Sequence, residues 1–183
     1  LTWPKGEMYW APFYLASPGV AASASGSFDR AQVAVEALRI EGASLGQIEG
    51  RGSFDLQSKR IGSASFSTGM LDLAQLAPSL IAPLLESVAG PKLAWSGQAS
   101  LAGEIRDNAL ESANLALHGV GLRETSGRYA LEGIEADIPW RSDASTDARI
   151  DIARATWGKL PIGPIALPGI VTGDRPPTLP GMT

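Results

Sequence analysis

Lys92-Leu93-Ala94-Trp95-Ser96-Gly97-Gln98-Ala99-Ser100-Leu101-Ala102-Gly103-Glu104-Ile105-Arg106 alternates almost without fault between apolar and polar residues. Leu93, Trp95, Ala99, Leu101 and Ile105 share one parity, and Lys92, Ser96, Gln98, Ser100, Glu104 and Arg106 the other. Successive side chains of a strand point to opposite faces, so the stretch reads as a long strand with one dry and one wet face, the habit of antiparallel sheets. Asp107-Asn108 follows as a turn signal, and Ala113, Leu115 and Leu117 resume the alternation before Gly119 and Gly121 interrupt it, which predicts a hairpin. Tyr129 and Leu131 keep odd parity, but beyond Gly133 the apolar set moves to Ile134, Ala136, Ile138 and Trp140, as a bulge at the glycine would produce. Ser142 to Thr146 reads as a turn, and Ile150 and Ile152 continue in another strand. Trp157, Leu160, Ile162, Ile165, Leu167 and Ile170 are then separated by Pro161, Pro164 and Pro168, which predicts an extended edge or a meandering loop.

The first half carries the same theme more faintly, with strands expected near 19–29, 31–42, 46–57 and 60–69. Gly-Ser-Phe-Asp stands at Gly26–Asp29 and again at Gly52–Asp55, a spacing that fits a weak repeat of two strands plus turns. Between the β halves, 72–88 is the one helical pattern, with Asp72 as N-cap, Gly90-Pro91 as stop, and Leu73, Leu76, Leu80, Leu84 and Val88 as the apolar stripe. Pro78 and Pro83 predict that it is broken or begins near Pro78. At the amino terminus Trp3, Met8, Tyr9, Trp10, Phe13 and Tyr14 form an aromatic-rich cluster expected to cap the core. Residues 173–183 are expected to be a Pro/Gly-rich tail or linker. The domain reading is one β-rich unit over 1–172, a weak two-part repeat (19–70 and 92–157) joined by the helical segment.

Composition narrows the function classes. Fifteen Lys and Arg are dispersed among 19 Asp and Glu for a net charge of −4, so no basic stripe is present to neutralise phosphates and nucleic acid is not expected as a partner. No apolar run approaches the roughly 20 residues of a spanning helix. The opening Leu1-Thr2-Trp3, with no initiator Met, leads to the expectation of an excised fragment whose targeting segment, if any, lies outside it. With no Cys and a single His, His118, neither a thiolate nor a His-pair metal site is expected. Glu132, Glu135 and Asp137 single out no carboxylate pair, no Gly-x-Ser-x-Gly elbow is present, and Gly119-Val120-Gly121 lacks the third glycine of a dinucleotide loop. No catalytic residue, metal or cofactor is therefore expected, and a hydrolase would require His118 to be gathered with carboxylates or Ser in a polar pocket.

Small residues alternating with single large ones leave one sheet face apolar but shallowly filled. This suits a mainly β fold built on a long, antiparallel, strongly curved sheet, an open groove or half-barrel, with one short broken helix near 72–88. A packed sandwich with a closed core is the ordinary alternative.

Leu71–Pro78, Leu93–Gly103, Leu115–Val120 and Gly127–Ala136 together resemble the AsmA-like group of Gram-negative envelope proteins, with its TamB-type and YdbH-type chains, in their cadence of helix, Leu- and Gly-punctuated strands and Gly-centred turns. The resemblance covers about residues 60 to 157. It implies a periplasmic β-groove, tethered to the inner membrane by a helix outside this sequence, that carries phospholipid acyl chains toward the outer membrane with no cofactor. Alternation nominates Trp95, Leu101, Ile105, Leu115, Leu117, Ile134, Ile138 and Ile150 as lipid-facing. The alternative is a non-enzymatic structural or partner-binding envelope module with a closed β core, engaging other envelope proteins through its sheet edges.

Overall fold

The computed structural model describes residues 2–3, 6–10, 13–17, 19–42, 46–77 and 93–173. The described strands are β1 (Thr2–Trp3), β2 (Gly6–Trp10), β3 (Phe13–Ser17), β4 (Val20–Phe28), β5 (Gln32–Gly42), β6 (Gly46–Asp55), β7 (Arg60–Thr68) and β8 (Leu71–Asp72). After helix α1 (Leu73–Leu76) come β9 (Leu93–Arg106), β10 (Ala109–Glu124), β11 (Tyr129–Arg141), β12 (Thr146–Trp157), β13 (Leu160–Ile162) and β14 (Ile165–Thr172). Twelve of these strands form one antiparallel sheet in the order β1-β4-β5-β6-β7-β9-β10-β11-β12-β13, with β8 beside β9 and β14 beside β12. Apart from the pairs β1–β4, β7–β9 and β12–β14, neighbours in the sheet are neighbours in the chain, as short turns between alternating segments dictate. No pairing among the described residues joins the β4 side to the β13–β14 side, so the sheet is a mainly β, antiparallel, open structure, as the alternation predicts. β2 and β3 form a separate hairpin.

The turns follow their residue types. Asp107 (φ 49°) and Asn108 (φ 67°) both take positive φ in the two-residue β9–β10 connection, a conformation that Asn and Asp tolerate best after Gly. The repeated Gly-Ser-Phe-Asp ends β4 and β6 in the same way. Asp29 Oδ1 accepts from the N–H groups of Ala31 and Gln32, each at 2.7 Å. Asp55 Oδ1 accepts from the N–H groups of Gln57 (2.9 Å) and Ser58 (2.6 Å). The repeat is therefore one hairpin long, and its Asp closes the turn.

The bulge expected at Gly133 is one of a row. His118 and Gly119 stand against one residue of β11, Glu132 and Gly133 stand against one residue of β10, and Gly119 and Val120 stand against Gly97 of β9. Gly97 (φ 88°), Gly119 (φ 57°) and Gly133 (φ 64°) all occupy the left-handed region, so a crease crosses three adjacent strands and reverses the parity of β10 and β11 beyond it. The alternation broken at Gly119 thus belongs to one continuous strand, β10. The proline-rich stretch after Trp157 forms the edge strands β13 and β14, paired to β12.

Helix α1 begins where the pattern predicts. Asp72 Oδ1 accepts from the Ala74 N–H at 2.9 Å, and Leu73, Leu76 and Ala77 are buried. The continuation of the helix with Pro78 and Pro83, the capping role expected of the aromatic side chains among residues 3–14, and the tail beyond Gly173 lie outside the described residues. The two β halves are one sheet, because β7 pairs with β9 from Ser63↔Arg106 to Ser67↔Ala102.

Candidate apolar binding face

Register places the large apolar side chains in rows across the sheet. Leu101, Leu115 and Ile138 form one row, and Ala99, Leu117, Ala136 and Ile150 the next. Val120, Ile134 and Ile152 lie across the crease, followed by Trp95, Leu122, Leu131 and Ala155. In the first half the rows are Val33–Phe54–Ile61, Val35–Gly52–Ala64–Ile105 and Leu38–Gly50–Phe66–Gly103. The Phe66 ring covers Gly103, where a Cβ would come within 2.8 Å of Cε1 and Cζ. Glycine there lets one aromatic ring lie flat across the neighbouring strand.

The eight nominated residues therefore share one sheet face but meet different surroundings. Ile134 is buried in the cluster of Leu73, Ala99, Val120 and Ile134, and Trp95, Leu115, Leu117 and Ile150 pack against it. Ile138 and Ile105 are half-buried, while Leu101 is 37% exposed. Burial divides the face in two. The buried residues of the sheet all lie in β9 to β12, and not one described residue of β4 to β7 is buried.

In the half over β4 to β7 Val33, Val35, Leu38, Ile40, Ile48, Ile61 and Phe66 are half-buried, Phe54 is 37% exposed and Phe28 84%. These are the apolar side chains that the nomination from the second half missed. Their signal lies in the sequence but is interrupted, because Glu36-Ala37 and Gly62-Ser63 each shift the register and with it the parity of the strand.

The opposite face is a lattice of charges. Arg39 pairs with Glu41 and Glu49, Arg106 with Glu111, Arg149 with Asp151, and Glu132 bridges Arg123 and Arg154 at 3.1 Å each. A cavity of about 810 Å³ spans β4 to β12, walled by Arg39, Glu49, Arg51, Glu104, Asn114 and Arg141. Its lining takes the row Leu38–Gly50–Phe66–Gly103 and the residues on both sides of it, but not Ile40, Ile48, Leu101, Leu115 or Ile138. Leu38, Phe66, Ala113, Pro139 and Trp140 line it together with these charged side chains, and none of the eight nominated residues does.

The turn between β10 and β11 holds a third arrangement. Glu124 is buried, accepts from the Arg128 guanidinium, the Ser126 hydroxyl (2.6 Å) and the Arg128 N–H (3.0 Å), and closes the turn that Gly127 (φ 75°) completes. These hydrogen bonds, the guanidinium's first, hold its carboxyl down at about 2 against an ordinary value of 4.5. Asp29 and Asp55 are likewise held below the usual carboxylate range, chiefly by the backbone N–H groups they accept from. His118 stands 46% exposed with Nδ1 3.5 Å from Glu135 Oε2, and Glu135 also accepts from the Gly119 N–H at 2.7 Å. Among the described residues no group of three or more His, Cys, Asp or Glu is placed to hold a metal ion, and no helix is long and apolar enough to cross a membrane. No family model, no curated protein and no solved structure matches this chain.

Proposed function

We propose that this chain is a segment of a periplasmic β-groove that holds phospholipid acyl chains against its apolar face during transport between membranes, without cofactor or reactive side chain. The observation that carries the reading is the apolar surface of β4 to β7, where Val33, Leu38, Ile40, Ile48 and Phe66 stay half-buried and no described residue is fully buried, while the same face over β9 to β12 holds the buried cluster. Aliphatic chains laid there remove apolar surface from water at roughly 25 cal/mol per Å² and ask for no directional contact. Leu101 and Ile105 lie where the open half meets the packed half, and the remaining nominated residues support the wall from behind. The resemblance to AsmA-like proteins points the same way.

The test is native mass spectrometry with lipid extraction on protein purified from bacterial cells without detergent. Stoichiometric phospholipid is expected, and is expected to be lost in Ile40→Glu and Leu101→Glu variants that keep the β circular dichroism of the parent. A folded protein free of lipid sinks the reading. That outcome would favour a second one, a non-enzymatic structural or partner-binding envelope module, which draws on the closed packing around Val120 and Ile134.

A further inference from the structure

We infer that two adjoining cavities across β4 to β12 form one trough that binds a neutral polyhydroxylated chain, an oligosaccharide, whose hydroxyls meet Glu36, Arg51 and Glu104. The inference is independent of lipid carriage, because neither Ile40 nor Leu101, whose substitution tests that reading, lines the trough.

The cavity of about 810 Å³ adjoins a second of about 460 Å³, and the two share Glu36, Arg51, Ser65 and Glu104. These four residues lie in one row across the sheet. Glu36 and Ala37 of the β5 bulge stand against Arg51, Arg51 stands against Ser65, and Ser65 against Glu104. The row continues through Ser112 to Arg141. It therefore crosses β5, β6, β7, β9, β10 and β11, inside both edges of the sheet. The larger cavity lies within the roughly 300–1,000 Å³ of sites that take small ligands, and its continuation into the second gives room for a short chain.

The polar groups of the row specify what fits. Among the charged residues of the larger cavity, Arg39 is paired with Glu49 and Arg141 with Asp143. Arg51 gives only its Nε–H, to the Ser65 hydroxyl at 3.1 Å, and its four terminal N–H groups meet no acceptor among the described residues. Glu36 and Glu104 accept no hydrogen bond and join no ion pair among the described residues. One row thus holds an open donor between two open acceptors. A bound anion would face Glu36 and Glu104, and a bound cation would face Arg51. An acyl chain would strip water from all three and offer no polar partner in return. A hydroxyl both donates and accepts through one oxygen, so neighbouring hydroxyls satisfy a carboxylate and a guanidinium together. Phe66 and Trp140 also line the larger cavity, and an aromatic ring beside such polar groups suits the C–H face of a sugar ring.

The experiment is isothermal titration calorimetry of the whole chain with cellohexaose, maltohexaose and chitohexaose, at low and at high salt, with dextran sulfate and oligolysine as charged controls. Saturable binding of at least one neutral hexasaccharide is expected, with little dependence on salt. Arg51→Ala and Glu104→Ala, folded by circular dichroism, are each expected to weaken it by about tenfold or more, the effect of losing a hydrogen bond to a charged group. Arg154→Ala, which removes a paired arginine outside the trough, is expected to leave it unchanged. Absence of binding by all three hexasaccharides, or equal binding in the Arg51 and Glu104 variants, overturns the assignment. Tighter, salt-sensitive binding of dextran sulfate or of oligolysine makes the trough an ion-binding site and overturns it as well.

Discussion

Arg128 closes on Glu124 across the β10–β11 turn with Nε 2.9 Å from Oε1 and 3.1 Å from Oε2, and the two residues differ sharply in exposure, 73% for the arginine side chain and 3% for the glutamate. A buried carboxylate satisfied by a guanidinium, a hydroxyl and a backbone N–H keeps its charge far into acid. The folded value of about 2 lies below the ordinary 4.5, so the clasp's contribution is fully present above pH 4.5 and is lost as pH falls toward 2. Thermal melts between pH 5 and pH 2 are expected to show a falling midpoint whose slope flattens in Glu124→Gln. An identical slope in the variant would remove the clasp from acid unfolding.

The crease predicts opposite tolerances at two adjacent glycines. A Cβ on Gly97 would lie 2.5 Å from the Gly119 carbonyl oxygen and 2.6 Å from the Val120 Cα, backbone atoms that cannot rotate away, whereas one on Gly119 would meet nothing within 4 Å. Gly119→Ala is expected to cost only its left-handed backbone, about 1–2 kcal/mol. Gly97→Ala adds the clash and is expected to cost roughly 3 kcal/mol or more in urea unfolding. Equal costs would mean that the two strands separate freely at the crease.

Truncations should report the division of the apolar face. Ile134 is 6% exposed within the packed cluster, and Ile134→Ala is expected to lose about 2–4 kcal/mol. Ile48 on β6 is only half-buried, and Ile48→Ala is expected to lose about 1 kcal/mol or less. Denaturant midpoints of the two variants, measured on lipid-free protein, check this order; a larger loss at Ile48 would show that its side of the sheet is packed in solution.

The Asp of the repeat makes a local prediction. Asp55 Oδ1 accepts from the N–H groups of Gln57 and Ser58 and from the Ser58 hydroxyl. In Asp55→Ala, amide exchange is expected to accelerate at Gln57 and Ser58 while the β6–β7 ladder beyond them stays protected. Loss of protection throughout the hairpin would instead make the turn necessary to the pairing of β6 with β7.

Much of the fold is legible in the chain itself. Strict alternation from Leu93 to Arg106 reports the pleat of β9 directly, Asp107-Asn108 marks its turn by residue type, and Asp72 marks the start of α1. Even the parity change at Gly133 is readable, because a single bulge moves every later side chain to the other face. These features depend on neighbours a few residues away. The alignment of Gly97 with Gly119 and Gly133 in one crease, the pairing of Ser63–Ser67 with Ala102–Arg106, and the burial of Glu124 depend on which distant segments meet. The same holds for the candidate site. Alternation placed Trp95, Leu101, Leu117 and Ile134 on one face, but only the tertiary structure decided that the buried cluster of this face lies over β9 to β12 and that no described residue over β4 to β7 is fully buried, because a pleat sets where a side chain points and the surfaces that pack against it set whether water reaches it.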